Sequence, residues 1–285
     1  MAAVLTRADV WADRRRRVTQ LRGRYGHARQ LLDFFGALLG VQEGAFHDAT
    51  SSAVGPSHVA AYTAEIVAPA VIDVSVALGP ERMRSEMIER LGKRDAREMI
   101  EAWMLGGDQP PVERFLARAA LGPVLEALPE ARGACQLARD ALHCPDCGGP
   151  PQLSYIGPGP EDLAGGRRYL LCARCSSTWG FPRMRCPGCG EEMSSRLPIF
   201  GELGTTSGER GSVVRGLSRA PGPSGAVFPH ARIEACETCR RYLLGFDLGE
   251  DPDTVPVVDE IGALPLDLVA RDKGFSKITP NLMGF

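Results

Sequence analysis

The residues able to do chemistry in this chain are sulfur-bearing. Eight of its nine cysteines fall in four C-x-x-C pairs, Cys144/Cys147, Cys172/Cys175, Cys186/Cys189 and Cys236/Cys239, and none precedes Cys135. A C-x-x-C turn sets two sulfurs on one side of a tight knuckle, where following backbone amides can point at the thiolates and offset their charge. Two knuckles together make a tetrahedral site. The segments CPDCG and CPGCG carry the Pro and Gly that such a turn favours, Gly supplying a positive φ just past the second cysteine. Spacing favours neighbouring pairs: 24 residues lie between Cys147 and Cys172 and 46 between Cys189 and Cys236, whereas the 10 between Cys175 and Cys186 suit a connector. The expected ligand sets are Cys144, Cys147, Cys172 and Cys175 for one divalent metal ion, and Cys186, Cys189, Cys236 and Cys239 for a second. An interleaved arrangement, first pair with third and second with fourth, is the alternative.

Four thiolates suit zinc and rubredoxin-type iron alike, since both accept tetrahedral sulfur. A structural zinc site contributes on the order of 10 kcal/mol to folding, enough to staple regions poor in apolar residues. The rival chemistry is thiol or sulfur transfer by one pair. It needs an accessible, low-pKa thiol at a helix N-terminus in a βαβ setting, whereas these pairs read as turns. Four cysteines complete a site without His143, which is expected on the surface or behind a ligand. Cys135 is expected to be buried as a small apolar residue, and Trp179 to pack against a ribbon.

The elements that must position these knuckles divide into two halves. Over residues 1–140, Trp11, Val18, Leu21, Tyr25, Ala28, Leu32, Phe35 and Leu39 recur at helical spacing and draw one apolar stripe. The Arg14–Arg17 run reads as a solvated helix face. A second apolar stretch, Val59 to Leu78, ends at Gly79-Pro80, after which Met83, Met87 and Leu91 repeat every fourth residue as core filler. FLARAALGPVLEAL then predicts a helix with a kink or restart at Pro123. Five to seven helices in one bundle-like domain are expected.

From Ala141 onward, Pro, Gly, Cys and short β-prone pieces such as RRYLLC replace the long apolar periods. The expected class is α+β: a helical domain at 1–140, one four-cysteine zinc-ribbon module at 141–182, a second at 183–247, and an acidic segment with one short helix at 248–285. Gly201–Pro229, rich in Gly, Ser, Pro and Arg, is expected to be a mobile insertion in the second module.

Charge and hydropathy narrow the function classes. Lys plus Arg is 33 against Asp plus Glu 35, which lacks the basic excess by which nucleic-acid binders displace counterions. The ribbons carry 12 Arg and 10 acids over residues 140–246, and two four-thiolate sites of about −2 each turn that balance negative. A zinc-ribbon nucleic-acid binder is therefore the disfavoured alternative. Uninterrupted apolar runs are far shorter than the roughly 18–20 residues that cross a bilayer, and residues 1–17 end in RRRR without an apolar signal core. Neither membrane insertion nor classical secretion is expected. Clustered cysteines without an export signal point to a reducing compartment, the cytoplasm. Arg167, Arg168, Arg174, Arg183 and Arg185 occupy a stretch from Leu163 to Gly190 that holds no acid. These arginines are first read as local compensation for the negative four-thiolate sites; the alternative is a docking surface for an acidic partner, for which this face is preferred over the helical half.

With both halves read, the sequence resembles the formate dehydrogenase accessory protein family, the FdhE-like proteins. The resemblance is carried by RRYLLCARCSSTWGFPRMRCPGCG at Arg167–Gly190, the preceding HCPDCGGPP, IEACETCRRYLLGFD at Ile233–Asp247 and the ending DEIGALPLDLVARDKGFSKITPN. It extends to GDQPPVERFLARAALGPVLEAL and RRVTQLRGRYGHARQLLDFFGALLGVQ in the helical half. It implies a helical domain followed by two rubredoxin-like modules and a cytoplasmic location. It also implies a non-enzymatic role in maturing respiratory formate dehydrogenase, whose catalytic subunit would be the partner. Consistent with that, no phosphate-binding loop, catalytic triad or HExxH motif occurs in the chain.

Overall fold

In a computed structural model, residues 7–135, 137, 139–157, 166–202 and 226–285 are described. The chain forms two compact units, one comprising Met1–Gly149, Ala173–Ser177 and Leu282–Gly284, the other Pro150–Cys172, Thr178–Asn281 and Phe285.

In the first unit the apolar stripe forms two helices, α1 (Arg7–Arg24) and α2 (Arg29–Ser51), joined by a 3-10 turn at Gly26–Ala28. Every residue of the predicted stripe is buried. A run from Pro56 to Leu78 contains α3 (Val59–Tyr62), a π-helical turn (Thr63–Val67) and α4 (Ala68–Leu78). This 23-residue run has a mean hydropathy of 1.5, so by length and composition it qualifies as a membrane span, with 33% of its window buried. Counting uninterrupted apolar residues missed it because Glu65 and Asp73 break the run. One side of it, including Val59, Thr63, Val67, Val71 and Ser75, is buried.

Three further helices complete the bundle: α5 (Glu81–Leu91), α6 (Ala96–Met104) and α7 (Pro111–Ala127). Asp95 caps α6 by accepting from the Arg97 amide at 2.8 Å. Of the Met83/Met87/Leu91 repeat, only Met87 is fully buried. The central helix α7 runs through Pro123 without restarting. Proline cannot donate to the carbonyl four residues back, and that carbonyl, on Ala119, instead accepts from buried Gln42 Nε2 at 2.9 Å. The Arg14–Arg17 run is not a uniformly solvated face, because Arg14 and Arg17 are 8% and 4% exposed. Arg14 makes a two-pronged pair with Glu126 at 3.0 and 3.1 Å and stacks on Trp11.

The second unit is built on a seven-stranded sheet among the described residues, in the order β3-β2-β1-β6-β5-β4, with β7 pairing with β6. Its strands are β1 (Pro151–Ile156), β2 (Arg168–Cys172), β3 (Thr178–Gly180), β4 (Ile199–Phe200), β5 (Ala231–Cys236), β6 (Arg241–Asp247) and β7 (Ser276–Lys277). β1, β2 and β3 form one antiparallel ribbon and β4, β5 and β6 another; β1 and β6 join them in parallel, Ser154 opposite Gly245. Of the expected excursion at Gly201–Pro229, residues 203–225 lie outside the described residues.

The acidic tail holds two helices rather than one, α8 (Pro256–Gly262) and α9 (Leu264–Asp272). Proline at the start of each sets its first turn. Val258, Ile261 and Leu266 are buried, as are Leu153, Leu170, Ile233, Leu244 and Phe246 of the sheet.

Two polar networks lock this unit. Arg168 donates to Glu234 at 2.6 Å and to the carbonyls of Pro182 and Arg185 at 3.0 and 3.1 Å. Glu234 also accepts from Arg232 at 2.7 and 2.9 Å and from Ser154 at 2.7 Å. Burial alone would raise this carboxyl, but the Arg168 and Arg232 guanidiniums outweigh it and hold Glu234 at about 2. Gly245 makes room, since a Cβ there would sit 2.5 Å from the Glu234 carboxylate. In the second network, buried Lys277 lies 2.6 Å from Glu260 and 3.0 Å from Asp267, while Tyr242 donates to Asp267 and Gln152 to Glu260.

Candidate metal centres

All four knuckles share one local conformation past the second cysteine. In the first, the Cys144 amide donates to Gly149 and the Gly148 amide to Cys144, at 2.9 and 2.8 Å; in the third, Cys186 and Gly190 repeat this with Glu191 and Cys186 at 2.8 and 2.9 Å. The residue just past the second cysteine is left-handed every time: Gly148 (φ 68°), Ser176 (57°), Gly190 (80°) and Arg240 (56°). Ser176 and Arg240 are the non-glycine residues with positive φ among those described, a conformation costing L-residues about 1–2 kcal/mol.

These turns bring the sulfurs together as neighbouring pairs. Cys144, Cys147, Cys172 and Cys175 form one cluster, and Cys186, Cys189, Cys236 and Cys239 the other; within each, all ligand atoms lie within 4.8 Å of one another. Sulfur–sulfur distances are 3.7 Å for Cys144–Cys175, 3.8 Å for Cys186–Cys239 and 3.7 Å for Cys189–Cys236. A tetrahedron with metal–sulfur bonds of about 2.3 Å has edges of about 3.8 Å. Disulfide sulfurs would stand about 2.05 Å apart. The donor set and its spacing thus fit one tetrahedral divalent ion per cluster.

The clusters differ in access. Every cysteine of the first is buried, while in the second Cys189 is exposed and Cys239 half-buried. Around the second, the Gly188 amide lies 3.3 Å from the Cys186 sulfur. Burial pushes the Cys186 thiol well up and Cys239 to about 11. At Cys236 burial also acts upward, but hydrogen bonds from the Cys239 amide, the Cys186 thiol and the Thr238 amide outweigh it, and the thiol is lowered. Four thiolates in one site repel one another, and a divalent cation would offset their charge.

Around the first cluster, the Cys175 sulfur lies 3.2 Å from Ser177 Oγ. Ser177 donates to Asp146 at 2.7 Å, and Asp146 accepts from Arg132 at 3.0 Å. The segment Ala173–Ser177 is fastened within the first unit: Arg118 donates to the Ala173 carbonyl at 3.3 Å, and Arg174 to that of Trp103 at 2.9 Å while covering its ring.

His143 hydrogen-bonds Asp140 at 2.7 Å and is exposed at the side chain, and Cys135 is 1% exposed, both as the sequence implied. The five-arginine face is corrected: Arg168 and Arg174 are 4% and 2% exposed, because their guanidiniums satisfy internal carbonyls and Glu234. Arg167 and Arg183 remain accessible and line a cleft of about 350 Å³ with Arg168, Gly180, Phe181 and Pro182.

Comparison with known proteins gives a consistent picture. Residues 143–183 match the family model for the FdhE central domain and residues 224–283 that for the FdhE C-terminal domain. A protein FdhE homolog from Aquifex aeolicus is 27% identical over 202 residues, covering 71% of this chain and 62% of that protein. One from Pseudomonas aeruginosa is 29% identical over 140 residues, covering 49% of this chain and 38% of that protein. The chain thus matches less than two thirds of the length of these relatives. The crystal structure of the FdhE protein from Pseudomonas aeruginosa shares the fold, with a TM-score of 0.64 over 98% of this chain and 96% of that one, at 22% identity.

Proposed function

We propose that this chain is an FdhE-like protein, as its matches to the FdhE central and C-terminal domain models and to curated FdhE homologs support, and that it is a cytoplasmic accessory protein that binds the catalytic subunit of a respiratory formate dehydrogenase and serves its assembly or activity without itself being an enzyme. In this reading Cys144, Cys147, Cys172 and Cys175 hold one divalent metal and Cys186, Cys189, Cys236 and Cys239 a second, each zinc or iron. The observation that carries the metal assignment is the sulfur spacing of 3.7–3.8 Å, the edge of a thiolate tetrahedron. The partner and compartment rest on the family resemblance and on clustered cysteines suited to a reducing environment.

The burial of Arg168 and Arg174 narrows the docking surface. Arg167 and Arg183, accessible around the cleft beside β3, are the guanidiniums available for carboxylates of a partner. The test is affinity capture of the native protein from its host. The catalytic subunit should be recovered with it, and an Arg167→Gln/Arg183→Gln variant with unchanged metal content should recover less and show a flatter salt dependence. Capture without the catalytic subunit would refute the partner. Undiminished capture by the variant would move docking to the helical unit.

A further inference from the structure

A third group of ligating side chains lies apart from both cysteine clusters. His230, Asp251 and Asp259 each bring one donor atom to a common point, all within 4.8 Å of one another, with His230 and Asp259 buried. His230 immediately precedes β5, Asp251 follows β6 by four residues, and Asp259 lies in α8. The Cys236/Cys239 knuckle closes the other end of the β5–β6 hairpin, and β5 has six residues, so the two sites are about 20 Å apart at 3.3 Å per residue.

Hydrogen bonds hold the members of this group in place. Asp259 Oδ2 accepts from the Val255 amide at 2.8 Å, and Oδ1 lies 3.2 Å from His230 Nε2. That last distance is long for a charge-assisted bond, which runs about 2.7–2.9 Å. It falls within the separation of about 3.0–3.4 Å between neighbouring donors when each is bound to a metal at about 2.0–2.2 Å. Asp251 Oδ1 accepts from the Asp253 amide at 3.1 Å, a local turn that helps fix the carboxylate. In the same turn, Thr254 donates its amide to the Asp251 carbonyl at 3.1 Å. Its hydroxyl is buried without a hydrogen-bond partner among the described residues.

We propose that His230, Asp251 and Asp259 form a third metal site, selective for a divalent first-row cation that prefers nitrogen and oxygen donors. Its chemistry separates it from the cysteine clusters, since soft thiolates favour zinc and iron while imidazole with carboxylates also accepts manganese. Its bound ion would tie the loop after β6 and the start of α8 to the strand that leads to Cys236.

The experiment adds Mn²⁺ alone to full-length protein whose cysteine sites are already filled with two equivalents of zinc, and follows free Mn²⁺ by its six-line electron paramagnetic resonance spectrum. One equivalent should be withdrawn per chain, with both zinc ions retained. His230→Gln should weaken Mn²⁺ binding at least about tenfold. Because His230 is buried, Asp251→Asn provides a second variant at a half-buried position, with the same expected loss and an unchanged circular dichroism spectrum. No withdrawal of Mn²⁺ by the zinc-loaded parent, or equal binding by Asp251→Asn, would overturn the proposal and leave the group a hydrogen-bonded staple.

Discussion

Replacing Glu234 by Gln tests whether the sheet is locked by charge. The carboxyl is 12% exposed, lies against Arg168 and Arg232, and is held at about 2 rather than its ordinary 4.5. That difference corresponds to about 3 kcal/mol of stability at neutral pH. Glu234→Gln removes it and leaves buried Arg168 without its counter-charge, for a total loss of about 3–5 kcal/mol at pH 7. The sign follows from the depressed value: the contribution is complete above the unfolded-state pKa and is lost as pH falls toward 2. By pH 3 the parent should have lost about 2 kcal/mol of it, so the gap between parent and variant should narrow by that amount. Protonation of the cysteine ligands is common to both proteins and cancels in the difference. Urea unfolding by circular dichroism at pH 7, 5 and 3 measures the gap, and Arg168→Met/Glu234→Gln should recover much of the loss. A gap that stays constant across this range would refute the reasoning.

Other outcomes follow from neighbouring features. With the cysteine sites loaded, a chelator should remove one metal equivalent well before the other, because Cys189 is exposed and the first cluster is wholly buried; Cys186→Ser should abolish the early phase, and simultaneous release would contradict the assignment. Ser176→Gly should stabilise the metal-loaded protein by about 1 kcal/mol by relieving a left-handed serine, read as a higher urea midpoint. Lys277→Met leaves Glu260 and Asp267 facing each other in the interior and should cost about 3–5 kcal/mol at pH 7. Burial already raises the Glu260 carboxyl and removing the ammonium raises it further, so the defect should shrink as pH falls toward the unfolded-state value of about 4.3. A pH-independent defect would point to lost packing instead.

What the sequence made legible was local. The knuckle pattern is written in five consecutive residues, and the helical stripe in spacings of three, four and seven, so both could be read without the rest of the chain. The joining of the ribbons was not, because it depends on Ser154 meeting Gly245 across a long separation. The arginines misled for the same reason: what removes Arg168 and Arg174 from the surface is Glu234 and the Trp103 carbonyl, both distant in sequence. Helix α8 was hidden by its brevity and by the buried acids Asp259 and Glu260, whose partners His230 and Lys277 come from elsewhere. His230, Asp251 and Asp259 have no regular spacing to mark them.

The parallel seam between β1 and β6 sets an order of events during synthesis. The first ribbon, with its cysteines, leaves the ribosome well before Gly245 arrives to pair with Ser154. At about 5–20 residues per second, the hydrogen-bonding edge of β1 stays uncovered for several seconds in the nascent chain. An open strand edge recruits other strands, so early metal capture by Cys144, Cys147, Cys172 and Cys175 would steady the first ribbon during this interval. Metal starvation should therefore harm a chain still being translated more than one already folded, and in the aggregates formed the segment Pro151–Ile156 should be protected from hydrogen exchange by strand pairing.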